Sequence, residues 1–397
     1  MNKQENGTEI RISGIKLEKN AGYQILSAIV DGERVWFRFP AHIPLRARPE
    51  IFVPFCLYDA MLRNIPIEID PAYPVSPLFL KGFEEAQNIY SCWNSDLTRV
   101  KLIATPGEHD EKSNDVYCCY SGGIDSAYSY ARHRDHITHL LLIQGFDKTH
   151  DPDEWAKSVA QRKAFANSEG KSLVEVTNNA WKFLEDRKLN WVPVHGSILA
   201  CLGVTLGAET LYIPSSNTYN GLFPCGSHPL LDVQWGTENT RIIHDGLEAS
   251  RSRKTEYIAQ YQELLDQLQV CWYSPGSNCG KCSKCIRTSL ILHILNKKSA
   301  SLPDFATHGS IEAMKPTSKA SLTYIDDFAH FTHVHGQMQF KKKLLKMRKK
   351  YIISDSSSTI LKAVVGGWGR KIQRRFFPKP WEEYRAGLTS RHSILDK

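Results

Sequence analysis

The chain has 397 residues, 42% hydrophobic and 23% charged, the balance of a globular protein with a sizeable core and room for two or three modules. No run approaches the roughly eighteen apolar residues of a membrane span, and the polar start MNKQENGTEI has no signal-peptide pattern, so a cytoplasmic protein is expected. The net charge of +8 is local, because residues 341–380 hold 13 of the 50 Lys and Arg but one of the 42 Asp and Glu, leaving the remainder at −4.

Residues 1–110 read as a mixed α+β N-terminal module. YQILSAIV and ERVWFRFP flank Asp31-Gly32, a strong signal for a hairpin. VPFCLYDAMLRN and SPLFLKGFEEAQNIYSCW carry helical spacing, RVKLIAT reads as a strand, and Pro71, Pro74 and Pro77 punctuate a loop between them.

From about 115 to 250 strands and helices alternate. VYCCY, HLLLIQGF, SLVEVTN and TLYIPSS are short β runs, separated by helical stretches such as DPDEWAKSVAQRKAFANSEG and GSILACLGVTLGAE. That alternation predicts right-handed βαβ units and a parallel sheet, hence an α/β core. A flavodoxin-like order is expected to make the first and fourth strands neighbours, so that the turns Ser121–Ser126 and Ser215–Asn217 share one crevice.

The first of those turns is SGGIDS. Phosphate needs several N–H donors converging on one point with no Cβ in the way, which glycines at a strand-to-helix turn provide. Gly122 and Gly123 let the backbone approach, Ser121 and Ser126 offer hydroxyls, and Asp125 can cap the helix or orient the turn. A left-handed turn with an N-cap and no ligand is the alternative. No Walker A pattern occurs. S-G-G-x-D-S between an apolar strand and a helix resembles the signature of the ATP pyrophosphatase (PP-loop) superfamily. The resemblance implies an adenine nucleotide alpha hydrolase-like core, cleavage of magnesium-bound ATP between the α- and β-phosphates, and adenylation of a substrate oxygen.

Cys271, Cys279, Cys282 and Cys285 follow a C-x7-C-x2-C-x2-C pattern in a polar, glycine-rich stretch. Two overlapping C-x2-C turns plus a fourth thiolate make a closed tetrahedral site, so a structural Zn2+ is expected, with an iron–sulfur cluster as the alternative. Within the superfamily this run and the following Arg287 resemble 7-cyano-7-deazaguanine synthase (QueC-like), which adenylates a carboxylate, takes ammonia to give an amide, and dehydrates that to a nitrile. The resemblance covers about residues 115–292. It implies a PP-loop domain with a zinc knuckle over 111–300, and QueC-like paralogues with added domains also occur in bacterial antiphage defence operons.

The same resemblance makes Lys254, in SRKTEYI, a candidate for neutralising phosphate charge; its alternative is a solvated surface lysine. It also makes Asp147 a candidate at the adenine and ribose, while Ser215 and Asn217 end the fourth strand where this fold places ligand contacts. The irregular segment 218–246 is the expected acceptor-binding region, with His228, Asp232, Glu238, Arg241, His244 and Asp245 in or beside it, each otherwise a surface or capping residue. Cys118 and Cys119 lie in the apolar first strand and read as core; a catalytic thiol there would instead point to sulfur transfer. Residues 301–397 read as a basic helical region. Its helix FKKKLLKMRKKYI mixes Phe340, Leu344, Leu345, Met347 and Ile352 with lysines, and RKIQRRFF follows. Nucleic acid, an acidic protein, an anionic membrane surface or solvent could each face that charge.

The expected activity is ATP-dependent adenylation of a carboxylate or amide oxygen, followed by attack of ammonia or another amine. The acceptor is a small molecule such as 7-carboxy-7-deazaguanine, or a macromolecule. A nucleic-acid-binding protein that uses ATP only as a switch is the competing expectation.

Overall fold

A computed structural model describes residues 7–107, 113–144, 152–271, 273–274 and 276–355. Asp147, Pro275 and the second basic segment, 366–377, lie outside the described residues. The chain divides into two units, Met1–Leu247 and Glu248–Lys397.

In the first unit, β1 (Ile10–Lys19), β2 (Tyr23–Val30) and β3 (Glu33–Pro40) form an antiparallel meander. The expected hairpin is present: Val30 pairs with Glu33 across Asp31 and Gly32, whose φ values are 48° and 82°. Positive φ at both central positions is the type I′ turn, whose twist matches that of the strands. The helices α1 (Val53–Arg63) and α2 (Pro77–Trp93) follow, with β4 (Ile67–Ile69) and β5 (Leu102–Ile103) extending the far edge in parallel. Ser76 caps α2 by accepting from the Phe79 N–H, with Pro77 at the first helical position.

The parallel half comprises β6 (Val116–Cys119), α3 (Ile124–His133), β7 (His139–Ile143), α4 (Pro152–Ser168), β8 (Ser172–Asn178), α5 (Ala180–Asp186), α6 (His195–Thr205), β9 (Thr210–Pro214), α7 (Pro229–Asp232) and β10 (Arg241–Asp245). All ten strands belong to one sheet, ordered β10-β9-β6-β7-β8-β3-β2-β1-β4-β5. The α/β class with a mostly parallel sheet is therefore observed.

The order within the parallel half is not the flavodoxin-like 2-1-3-4-5. Counted from β6 it runs 3-2-1-4-5. The first and fourth strands, β6 and β9, are nevertheless neighbours, pairing from Val116 opposite Thr210 to Cys118 opposite Tyr212. Strand order reverses there, and the crevice outside the carboxyl ends of strands at such a point is where open α/β sheets bind ligands.

The N-terminal meander continues the parallel sheet. β3 lies antiparallel to β8, Phe37 opposite Asn178 and Arg38 opposite Thr177. Asn179 closes the joint: its Oδ1 accepts from the Trp36 N–H at 2.7 Å and its Nδ2 donates to the Arg34 carbonyl at 2.9 Å. An edge strand exposes a row of unpaired backbone groups, and β3 satisfies that of β8. Phe37, Phe52, Phe55 and, from α5, Phe183 pack ring against ring at 6.1–6.3 Å, each pair adding about 0.5–1.5 kcal/mol beyond its buried area.

The second unit is helical: α8 (Arg251–Ile258), α9 (Gln262–Asp266), α10 (Ser283–Ile294), α11 (Phe305–His308), α12 (Lys319–Val334) and a further helix described over 338–355. Its core holds Ile286, Leu290 and Ile291 of α10 against Phe328 and Phe331 of α12 and Leu344 of the last helix.

Candidate phosphate-binding turn and metal centre

β6 ends at Cys119 and α3 begins at Ile124, so the turn has four residues. Gly122 takes φ 78°, a left-handed conformation that glycine adopts without penalty. Gly123 is the helix N-cap in extended conformation and supplies no side-chain cap to the first-turn amides. In most helices a Ser, Thr, Asp or Asn cap covers those amides. Here they stand at a switch point with their dipole facing out, the arrangement that receives anions. Ser121 and Ser126 are brought together, their hydroxyls 3.4 Å apart. The Ser121 hydroxyl accepts from the Gly123 N–H at 3.3 Å, and Ser126 donates to the Gly123 carbonyl at 3.0 Å. Asp125 is half-buried in the first turn of α3.

A residue with no sequence signal completes this turn. Arg162 of α4 is 2% exposed, donates from Nη2 to the Ser121 carbonyl at 2.9 Å and from Nη1 to Gln161 Oε1 at 2.8 Å. A Cβ at Gly122 would stand 2.5 Å from Nη2. In sequence, Arg162 is one more charge on a helix.

On the adjacent strand, Ser215 is buried and ends β9 in a tight turn, its hydroxyl donating to the Asn217 carbonyl at 2.9 Å and accepting from the Asn217 N–H at 3.1 Å. The two candidate turns thus leave neighbouring strands at the same edge. Ser215 is occupied in shaping its own turn.

The residues expected in the acceptor region separate into two groups. Glu238 is a cap, accepting from Ser76 Oγ at 2.6 Å and the Leu78 N–H at 2.8 Å. Arg241 is exposed, and Asp245 is engaged by His133 at 3.0 Å and Arg132 at 3.4 Å from α3. Asp232, His244 and His228 instead form a buried network. Asp232 is fully buried and accepts from Ser227 Oγ at 3.0 Å, the His228 N–H at 3.2 Å and His244 Nδ1 at 2.7 Å. A carboxylate on Nδ1 makes that nitrogen the donor, which in the neutral ring leaves Nε2 as the acceptor. That Nε2 is buried and has no hydrogen-bond partner among the described residues. His228 accepts at Nδ1 from the Leu230 N–H at 3.2 Å, and burial holds its pKa below the ordinary imidazole value.

Burial disfavours the thiolate form of both thiols in the first strand. Burial raises Cys118 well above the usual thiol value and pushes Cys119 up to about 12, with Asp232 adding to the latter. Thiol attack needs thiolate, so sulfur transfer through either residue is disfavoured.

In the second unit, Lys254 is 1% exposed within α8, so it is not the solvated surface lysine of the alternative expectation. Asp327 of α12 holds the start of α8, accepting from the Ser252 N–H at 3.0 Å and the Ser252 hydroxyl at 2.5 Å. Arg287 stacks over the Tyr324 ring at 4.6 Å.

The four cysteines converge as their spacing predicts. The sulfurs of Cys271, Cys279, Cys282 and Cys285 all lie within 4.8 Å of one another, with 4.0 Å between Cys279 and Cys285. Tetrahedral zinc with bonds of about 2.3 Å separates its sulfurs by about 3.8 Å, so the cluster is compatible with zinc. Backbone N–H groups of Tyr273, Cys282 and Cys285 point at the sulfurs of Cys271, Cys279 and Cys282, at 3.3–3.5 Å. Asn278 holds the loop by accepting from Val270 and Cys271 N–H and donating to the Leu268 and Ser301 carbonyls. The hydrogen bond with Cys282, then burial, drives the Cys285 thiol far above its ordinary value. Sulfurs packed this closely could hold a metal ion.

On the helix over 338–355, Phe340, Leu344 and Met347 face the core, while Leu345 and Ile352 are exposed. Lys342, Lys343, Lys346, Lys349 and Lys350 are also exposed, and Arg348 pairs with Asp326 at 2.6 Å. No described helix is long and apolar enough to cross a membrane.

No family model, curated protein or solved structure matches this chain.

Proposed function

We propose that the protein is an ATP-dependent enzyme of the PP-loop type, which adenylates a carboxylate or amide oxygen and then forms an amide or nitrile. The observation that carries this reading is the β6–α3 turn: a left-handed Gly122, an extended Gly123 without a capping side chain, and a position at the switch between β6 and β9. Resemblance of SGGIDS and of the four-cysteine run to 7-cyano-7-deazaguanine synthase supports 7-carboxy-7-deazaguanine as the first acid to test. An acid on a larger molecule, as in a defence system, is the variant of the same chemistry.

In this reading the amides around Gly122 and Gly123 hold the β- and γ-phosphates while a substrate oxygen attacks the α-phosphorus. Pyrophosphate leaves with its charge stabilised by those N–H donors and the α3 dipole. Magnesium entering with ATP would neutralise phosphate charge, with Asp125 the carboxylate this turn offers it. Lys254 is the candidate for charge developing on the α-phosphate. Ammonia or another amine then attacks the acyl adenylate, AMP leaves, and the proton the amine sheds passes to a second amine or to water. Repeating the activation on the amide oxygen, with loss of AMP and a second proton, would give a nitrile. Positioning and electrostatics suffice, and no protein nucleophile is required. Zinc at the four thiolates would be structural, because four protein sulfurs leave no open position.

The test is incubation with ATP, magnesium, ammonia and candidate acids including 7-carboxy-7-deazaguanine, with mass spectrometry for AMP and for adenylated or amidated product. Formation of ADP without AMP would refute the reading.

The exposed lysines of the last helix favour a second reading, a nucleic-acid-binding protein that uses ATP as a switch. Asp125→Asn separates the two: it should abolish pyrophosphate release under the first and leave salt-dependent RNA or DNA binding intact under the second.

A further inference from the structure

Arginine is almost never fully buried unless paired. Among the described residues of the first unit, Arg48 and Arg162 are the buried arginines, at 4% and 2% exposure. Arg48 feels the nearby Glu50. Arg162 differs, because no carboxylate among the described residues forms an ion pair with it. Among the described residues its two contacts are neutral oxygens, the Ser121 carbonyl and the Gln161 amide, and its Nε–H is buried with no hydrogen-bond partner there. The rings beside the turn, Tyr120 stacked on Phe165 at 5.3 Å, keep that side of it dry. Desolvating a guanidinium without a counter-charge costs several kcal/mol.

Its location is specific. Nη2, Cζ and Nε all lie within 3.0 Å of where a Gly122 Cβ would stand, so the cation presses on the α-carbon of the glycine turn. Gly122 therefore meets two separate requirements, the left-handed φ and the space for this cation. Through the Ser121 carbonyl, Arg162 also sets the Ser121–Gly122 peptide plane and hence the direction of the Gly122 N–H.

We infer that Arg162 is the built-in counter-charge of the turn: its buried cation has no counter-charge among the described residues and is balanced when a phosphoryl polyanion, pyrophosphate or the β,γ-phosphates of a nucleotide, binds the amides on the other side of Gly122. This deepens the proposed function and rests on its reading of the turn as a phosphate site. Arg162 acts through the Ser121–Gly122 backbone and its own field, so it is a positioning residue. The design makes a prediction of opposite signs. Removing a buried cation that has no carboxylate partner among the described residues relieves desolvation, so a neutral side chain of similar size leaves the free protein as stable or more so, while anion affinity falls.

The experiment is calorimetric titration of magnesium pyrophosphate into the full chain and into Arg162→Met and Arg162→Gln, with melting temperatures of the free proteins. Gln retains a donor for the Ser121 carbonyl without the charge, and it decides the matter if the Met variant does not fold. The expected result is a Kd weakened about 10- to 100-fold in both variants, the factor that about 1.4–2.8 kcal/mol of lost charge interaction gives. A free-state melting temperature at or above that of the wild type should accompany it. Binding within twofold of wild type in a folded variant would overturn the inference while leaving the turn as a phosphate site. A wild-type chain that binds neither pyrophosphate nor ATP would overturn the phosphate reading itself.

Discussion

Gly122→Ala tests the turn on two grounds that can be separated. Alanine at φ 78° pays the left-handed penalty of about 1–2 kcal/mol. Its methyl would also stand 2.5 Å from Arg162 Nη2, which has to move and lose its bond to the Ser121 carbonyl, about another 1–2 kcal/mol. The sum, about 2–4 kcal/mol, corresponds to a fall of roughly 5–15 °C in melting temperature for a unit of this size. Gly32→Ala is the internal control, since Gly32 has φ 82° and nothing within 4 Å of its Cβ position. It should lose only the φ penalty, roughly 2–8 °C, and keep its ligand. Differential scanning calorimetry gives the stabilities, and a pyrophosphate-release assay with ATP gives the function. If Gly122→Ala melts with Gly32→Ala and releases pyrophosphate at the wild-type rate, the crowding at Arg162 and the phosphate role of the turn both fall.

Three further outcomes follow from the geometry. Elemental analysis should find about one zinc per chain, and Cys282→Ser or strong chelators should remove it and lower the melting temperature of the second unit, because metal affinity is folding energy in a thiolate site of this kind. A metal-free wild-type chain with an unchanged melt would refute the cluster's role. His244→Gln should lower the melting temperature of the first unit, because the buried Asp232 carboxylate loses a partner at about 1–3 kcal/mol; an unchanged melt in differential scanning calorimetry would argue against the network. Stability should depend on pH through His139 and His228, whose pKa values burial lowers from 6.5. Because the unfolded chain then binds protons that the fold resists, the contribution is complete above about pH 6.5 and declines as pH falls below it, a slope that His228→Asn should reduce in urea titrations at pH 5.5 and 7.5.

Several features could be read from the chain because neighbouring residues decide them. Asp31, Gly32 and Gly122 take the positive φ that Gly and, less readily, Asp adopt, so the hairpin and the strand-to-helix turn were visible as short strings. The cysteine spacing is equally local, since two overlapping C-x2-C turns bring sulfurs together whatever surrounds them. The basic helix was legible as an amphipathic stretch, but which of Leu344 and Leu345 would be buried was not.

What only the tertiary structure decided are pairings between segments far apart in the chain. Arg162 stands 40 residues beyond Gly122 and reaches it because α4 packs against β7 and β8, beside the strand that carries the turn. Asp232 and His244 are ordinary polar residues until α7 and β10 place them 2.7 Å apart and exclude water. The strand order and the capture of β8 by β3 belong to the same class. Covalent neighbours set the shape of a turn, whereas the partner of a charge or of a strand edge is settled only when the chain closes and each buried group takes what lies within reach.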